Sequence, residues 1–322
     1  MELMQLKDND IDNVIASLYI GTIKTNAYSE AQKYVKRLHA THKLPKPKIG
    51  LLIGASGIGK SVLTETYADS FPDIQHSTYT EKRIIYIKLT ARCSLGNVYK
   101  LLYTEITNTT MPKMDNGEAF KQIVSLCIKT RVQLIIIDEA QQVLPVNQTS
   151  TASVMSLADA FKNLIDDAKC AILLSGMPNL EDLLKLPGNS EEISQQLKRR
   201  SVAPHRFAKI SMDETQRVLI NIQSKLAQLG IEYDLNTEDM LLRFFIASKG
   251  VIASIFEILA EALRFSDGDI TYKAFEDTFN FIKGSEEINP FLVKSSSLGN
   301  LCAEVLKKID GHEEKKESKN GS

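Results

Sequence analysis

The chain has 322 residues, 43% apolar and 25% charged, enough for one large core or two smaller ones. Its 39 Lys and Arg against 40 Asp and Glu give a formal charge of −1, which excludes a protein that coats nucleic acid by overall basicity. Any contact with phosphate must come from local patches. The start, MELMQLKDND, has no basic-then-apolar signal pattern, and no apolar run reaches the length of a membrane span. Cys93, Cys127, Cys170 and Cys302 fit neither a metal spacing nor a disulfide framework. Buried thiols in a reducing cytoplasm, away from membranes, are the expectation.

Residues 1–48 read as an N-terminal helical extension, in which YSEAQKYVKRLHATHKL has helical spacing and PKPK stops it. From 49 to 211, short apolar runs (49–54, 83–89, 132–138, 170–176 and 206–211) alternate with helix-length segments near 61–70, 95–107, 117–130 and 151–167. That alternation predicts an α/β core with a parallel sheet covered on both faces. Residues 212–284 carry four stretches with acidic or hydroxyl starts, apolar stripes and Gly or Asp-Gly stops, the pattern of a small all-helical lid. The tail, 285–322, holds one short amphipathic stretch, LGNLCAEVLKKI, suited to docking on a partner, and then charged residues too polar to bury.

Between the first run and the first helix lies GASGIGKS, Gly54, Ala55, Ser56, Gly57, Ile58, Gly59, Lys60 and Ser61, a full G-x-x-x-x-G-K-[ST] match continued by Val62. Glycines let backbone N–H groups curl around an anion while the next helix points its positive end at it. Lys60 is expected to reach the β- and γ-phosphates of ATP, and the Ser61 hydroxyl to ligate Mg²⁺. LIIIDEAQQ (134–142) supplies the second half: a buried strand ending in Asp138, to hold Mg²⁺ through water, and Glu139, to polarise an attacking water. An acid at a strand end is weak alone; paired with the glycine loop it becomes specific.

Two further elements complete an oligomeric ATPase on paper. The run 170–176 ends in SGMPN, where Ser175, with Asn179 in reserve, is a candidate to touch the γ-phosphate or the water; a plain turn is the alternative. QQLKRRSVAPHRF presents Arg199 and Arg200, and Arg200 is the candidate to reach a neighbouring subunit's γ-phosphate. The alternative there is a solvated basic helix end, favoured by the macrodipole.

These motifs resemble an AAA+ ATPase, and more narrowly the TniB/TnsC group of transposition regulators, related to MuB. YSEAQKYVKRL ahead of GLLIGASGIGKS, IIIDEAQQVL, LADAFKNLIDDAKCAILLSGMPNL, SKGVIASIFEIL and a late NPF carry the resemblance over residues 12–292. The chain departs from such proteins in lacking an arginine within GVIASIFEILAEA and in having Gly176-Met177 where Gly-Thr is common. The resemblance implies ATP-dependent assembly, as a ring or helical filament, on double-stranded DNA without sequence preference. It also implies recruitment of a transposase to a site marked by a target-selection protein or RNA-guided complex, with hydrolysis driving disassembly; the missing lid arginine predicts that this hydrolysis is slow. The loop and helix after the second strand would face DNA, offering Arg92, Lys100 and Lys113 to phosphates. A nucleotide-dependent scaffold without functional hydrolysis, or a helicase-loader or initiator ATPase, are the competing readings.

Overall fold

The computed structural model describes residues 8–19, 21, 23–90, 92–144, 151–184, 191–268, 270–284 and 286–317. The chain forms two compact units, residues 27–208 and residues 1–26 with 209–322. In chain order, α1 (Asp8–Tyr19) opens the second unit, and α2 (Asn26–Ala40) leads into the first. The N-terminal 48 residues are therefore divided between the two units.

The first unit continues with β1 (Ile49–Ile53), α3 (Lys60–Asp69), a short antiparallel pair β2 (Ile74–Gln75) and β3 (Thr80–Glu81), then β4 (Ile84–Lys88). It goes on through α4 (Leu95–Thr107), α5 (Asn116–Lys129), β5 (Leu134–Asp138), α6 (Thr151–Ala168), β6 (Ala171–Gly176), α7 (Glu191–Arg200) and β7 (His205–Arg206). Five strands, among the described residues, run parallel in the order β4-β5-β6-β1-β7. Every residue of β1, β5 and β6 is buried, as expected for central strands with helices on both faces. Ser94 and Asp115 cap α4 and α5, the Asp115 carboxylate accepting from Gly117 and Glu118 N–H groups at 2.8 and 2.9 Å. On the other side of β1, α2 packs Leu38 close to Gly50, and the Tyr34 hydroxyl accepts from Leu51 N–H at 3.1 Å.

Register sets up the site. Gly176 of β6 lies opposite Ile53 of β1, and Lys88 of β4 opposite Asp138 of β5. The carboxyl ends of four strands thus share one edge, the edge where ligands bind in open α/β sheets.

The expected strand over 206–211 is corrected to two residues, His205 and Arg206, pairing with Leu52 and Ile53. Pro204 has no N–H to give a ladder, and after Phe207 N–H bonds Ile53 O at 2.7 Å the chain leaves the sheet. Ile210 is buried in the core of the other unit.

That unit packs α1 with α8 (Met212–Gln228), α9 (Glu238–Ser248), α10 (Ile252–Phe265), α11 (Tyr272–Lys283) and α12 (Ser295–Glu317). A capping box joins Ser211 and Glu214 at the start of α8, and Thr237 and Thr271 cap α9 and α11. The late NPF is a plug: Phe291 is buried among Phe244, Phe275 and Phe279, while Asn289 donates to Glu276 O and Asn280 Oδ1, both at 2.9 Å. The amphipathic stretch of the tail does not stand free. Leu298, Cys302 and Val305, at helical spacing, are buried against Phe245 and Ile246 of α9. Among the described residues no helix is long and apolar enough to cross a membrane. All four cysteines are free, with Cys127, Cys170 and Cys302 buried.

Candidate active site

The loop from Gly54 to Gly59 turns the end of β1 into the start of α3. Gly57 and Gly59 sit at φ 76° and 104°, in the left-handed region where a side chain is strained. Gly54 is required for another reason: a Cβ there would run into the Ile58 side chain and the Phe207 carbonyl. Ile58 is buried under the loop, whereas Ser56, Gly57 and Val62 are exposed and Ala55 half-buried.

Lys60, only 5% exposed, folds back to donate to Gly54 O and Ala55 O at 3.0 and 2.8 Å. Burial lowers its pKa, and the Glu139 and Asp138 carboxylates act in the opposite direction. Ser61 Oγ donates to Asp138 Oδ2 at 2.6 Å, joining the two motifs. The single proton of the Tyr86 hydroxyl, on β4, is shared between Glu65 Oε1 of α3 at 3.0 Å and the same Asp138 oxygen at 3.3 Å. The tyrosine pKa is pushed far up, by burial first and then by the Asp138 charge. Asp138 is fully buried, yet its Oδ1 has no protein partner. A buried carboxylate oxygen left open beside a serine hydroxyl is a hard-oxygen donor set that fits Mg²⁺ completed by phosphate and water. Among the described residues no group of three His, Cys, Asp or Glu forms a cage that would hold a metal without such help.

Glu139 follows in a left-handed conformation, φ 53°. A 3-10 turn over Ala140–Val143 comes next, and Gln141 reaches back from it: its Nε2 donates to Glu139 Oε2 at 2.5 Å. Its Oε1 accepts from Met177 N–H at 3.0 Å, just past β6. Ser175 is fully buried with its hydroxyl unpartnered, one strand away from the loop. Asn179 is exposed in the 3-10 segment Pro178–Leu184.

Lys60, Ser61, Asp138 and Glu139 are thus drawn into one cluster. Arg200 is not: its Nε and Nη2 grip Asp166 of α6, each at 3.0 Å. Arg199, beside it, is exposed. Arg92 is exposed on the loop after β4, Lys100 on α4 and Lys113 ahead of α5. The Arg92 loop is tied to the Glu139 turn through Cys93 N–H, which donates to Gln142 O at 3.0 Å. Sequence reasoning passed over Tyr86 and Gln141. Tyr86 could have been found from strand alternation, because it shares a face with Lys88, which lies opposite Asp138. Gln141 carries no such signal, since its role depends on a turn that only the fold defines.

With that geometry in view, the chain has known likenesses. Residues 45–184 match the family model described as an AAA domain. That stretch is similar to AAA-type P-loop ATPase domains, and the parallel sheet with its flanking helices has the P-loop AAA+ fold. No curated protein matches its sequence. Among solved structures, the ORC1 protein of Aeropyrum pernix in complex with DNA is 15% identical, with TM-score 0.53 over 84% of this chain and 69% of that one. The ORC2 protein of the same organism is 12% identical, with TM-score 0.57 over 84% and 72%. A Walker-type ATPase of Pyrococcus abyssi is 16% identical, with TM-score 0.56 over 83% and 76%. At these identities the likeness is one of fold.

Proposed function

We propose that the chain is an ATP-driven switch that oligomerises on double-stranded DNA and there recruits or activates a transposase, with hydrolysis driving disassembly. The observation that carries the ATPase part is the 2.6 Å contact of Ser61 with Asp138, next to a buried Lys60 and with one Asp138 oxygen unpartnered. Lys60 would exchange the Gly54 and Ala55 carbonyls for β- and γ-phosphate oxygens, and residues 54–62 would wrap the phosphates. Ser61 and Asp138 would hold Mg²⁺, which when bound neutralises phosphate charge. Glu139, whose charge acts on Lys60, would take the proton of the attacking water. Ser175 would direct its hydroxyl to the γ-phosphate or that water. A finger in trans is assigned to Arg200, whose use requires its Asp166 pair to open, with Arg199 as the alternative donor.

Support for the DNA part is the exposure of Arg92, Lys100 and Lys113 and the hydrogen bond from the Arg92 loop to the Glu139 turn. The transposition reading rests on the sequence resemblance to TniB/TnsC regulators. A second reading, an initiator-type ATPase, is favoured by the likeness in fold to ORC1 captured with DNA. The test is binding of the protein to non-specific duplex DNA with no nucleotide, ADP, or a slowly hydrolysed ATP analogue. Binding that needs the analogue and is lost in Lys60→Ala supports the switch. Absence of DNA binding in every state retires both DNA readings. Stimulation or recruitment of a co-encoded transposase on that DNA then separates the regulator from the initiator.

A further inference from the structure

Gln141 makes two hydrogen bonds that together span the site. Its amide orientation is forced: the Met177 N–H can only donate, so the oxygen must face it and the NH₂ must face the Glu139 carboxylate. The amide therefore ties the carboxylate of β5's terminal turn to the backbone at the end of β6, the strand that carries Ser175 and pairs with β1 below the phosphate loop. Gly176 belongs to the same device. A Cβ at that position would strike Gln141 Oε1, so only glycine leaves the amide room to sit there. Glu139 itself has a left-handed backbone, φ 53°, at the start of the turn from which Gln141 reaches back.

We infer that Gln141 is a positioning residue, which fixes the Glu139 carboxylate toward the nucleotide and makes its orientation follow the carboxyl end of β6. Gln141 itself touches no reacting atom; it acts through Glu139. The inference rests on the hydrolysis reading above. Without the amide, Glu139 keeps its charge but samples other rotamers, so the fraction of encounters with an oriented water falls while phosphate binding is untouched.

The experiment is a double-mutant cycle on the full chain, with turnover of Mg-ATP and the Kd for Mg-ADP measured with and without duplex DNA. Gln141→Met keeps the side chain's length and removes both hydrogen bonds. It should lower kcat about tenfold and leave the Kd within about twofold. Glu139→Gln should lower kcat further, and adding Gln141→Met to it should change nothing more, because the residue acts only through that carboxylate. Gly176→Ala, which keeps Gln141 but displaces its oxygen, should give the same kcat loss and guards against a folding defect in the first variant. Three results would overturn the inference: kcat of Gln141→Met equal to wild type, independent multiplication of the two defects, or a kcat loss matched by an equal loss in Kd. Wild-type turnover no faster than Glu139→Gln would instead sink the hydrolysis reading, and this inference with it.

Discussion

Asp138 and Arg243 are both buried charges, one in each unit, and the chain treats them oppositely. Arg243, 4% exposed, is satisfied on every side: Nε and Nη2 take Asp239, Nη1 takes the carbonyls of Pro290 and Val293, and Tyr272 stacks on the guanidinium. Asp138 has only Oδ2 engaged, by Ser61 and Tyr86, and leaves Oδ1 open. A buried ion costs several kcal/mol in desolvation, of order 5, so a chain that completes one side of its carboxylate and not the other has kept that side for something it does not itself supply. Fully paired buried charge pins α9 to the segment before α12; half-paired buried charge marks the site.

That contrast can be broken most forcefully at Arg243. Its replacement by Ala strands Asp239 and two carbonyls, and stability to urea should fall by about 3–5 kcal/mol with nucleotide affinity unchanged. The same pair sets a pH dependence. Hydrogen bonding to Arg243 holds the Asp239 carboxyl below its ordinary value. The stabilisation is thus complete above the unfolded carboxylate's pKa and is lost as pH falls through the depressed folded value. An acid titration of stability should lose part of that limb in Asp239→Asn. Next in size, Leu298→Ala, which opens the contact of α12 with Phe245 and Ile246, should cost about 3 kcal/mol, read from the same urea transition.

The other side of the comparison predicts effects on ligand and not on folding. Lys60→Ala should weaken Mg-ATP binding by about a hundredfold, ~2.7 kcal/mol, with little change in melting temperature, measured by calorimetric titration. The smallest effects belong to the exposed cations. Arg92→Ala, Lys100→Ala and Lys113→Ala should each reduce the slope of log K for DNA against log salt by about 1 without altering nucleotide affinity.

Much of the architecture is written locally. The helix over 95–107 has the bounds its apolar spacing gives, and the runs around 49–54, 132–138 and 170–176 form the three fully buried strands. These elements carry their own start and stop signals. The run at 206–211 misled because its apolar residues part ways: Phe207 lies against Gly54 and Gly59 of the glycine loop, whereas Ile210 belongs to the helical core. In the tail the amphipathic stretch is legible but its dock is not: Leu298, Cys302 and Val305 lie on Phe245 and Ile246 of α9, about 50 residues earlier in the chain, a pairing that no local pattern marks. At the site, the loop and the acidic strand end are legible as motifs because each is contiguous in sequence. Gln141 and Gly176 are not, since they meet across a turn and the end of β6, and Tyr86 becomes visible only once alternation along β4 is combined with its pairing to β5. The Asp166 partner of Arg200 is hidden for the same reason, 34 residues away.

Everything proposed for the cluster turns on hydrolysis of ATP through Glu139. Its most direct test is phosphate release from Mg-ATP by the wild-type chain and by Glu139→Gln, at nucleotide concentrations that saturate both. Nucleotide binding should be equal and turnover lower in the variant by about a hundredfold or more. Equal turnover in the two proteins would contradict it and leave the nucleotide a structural ligand.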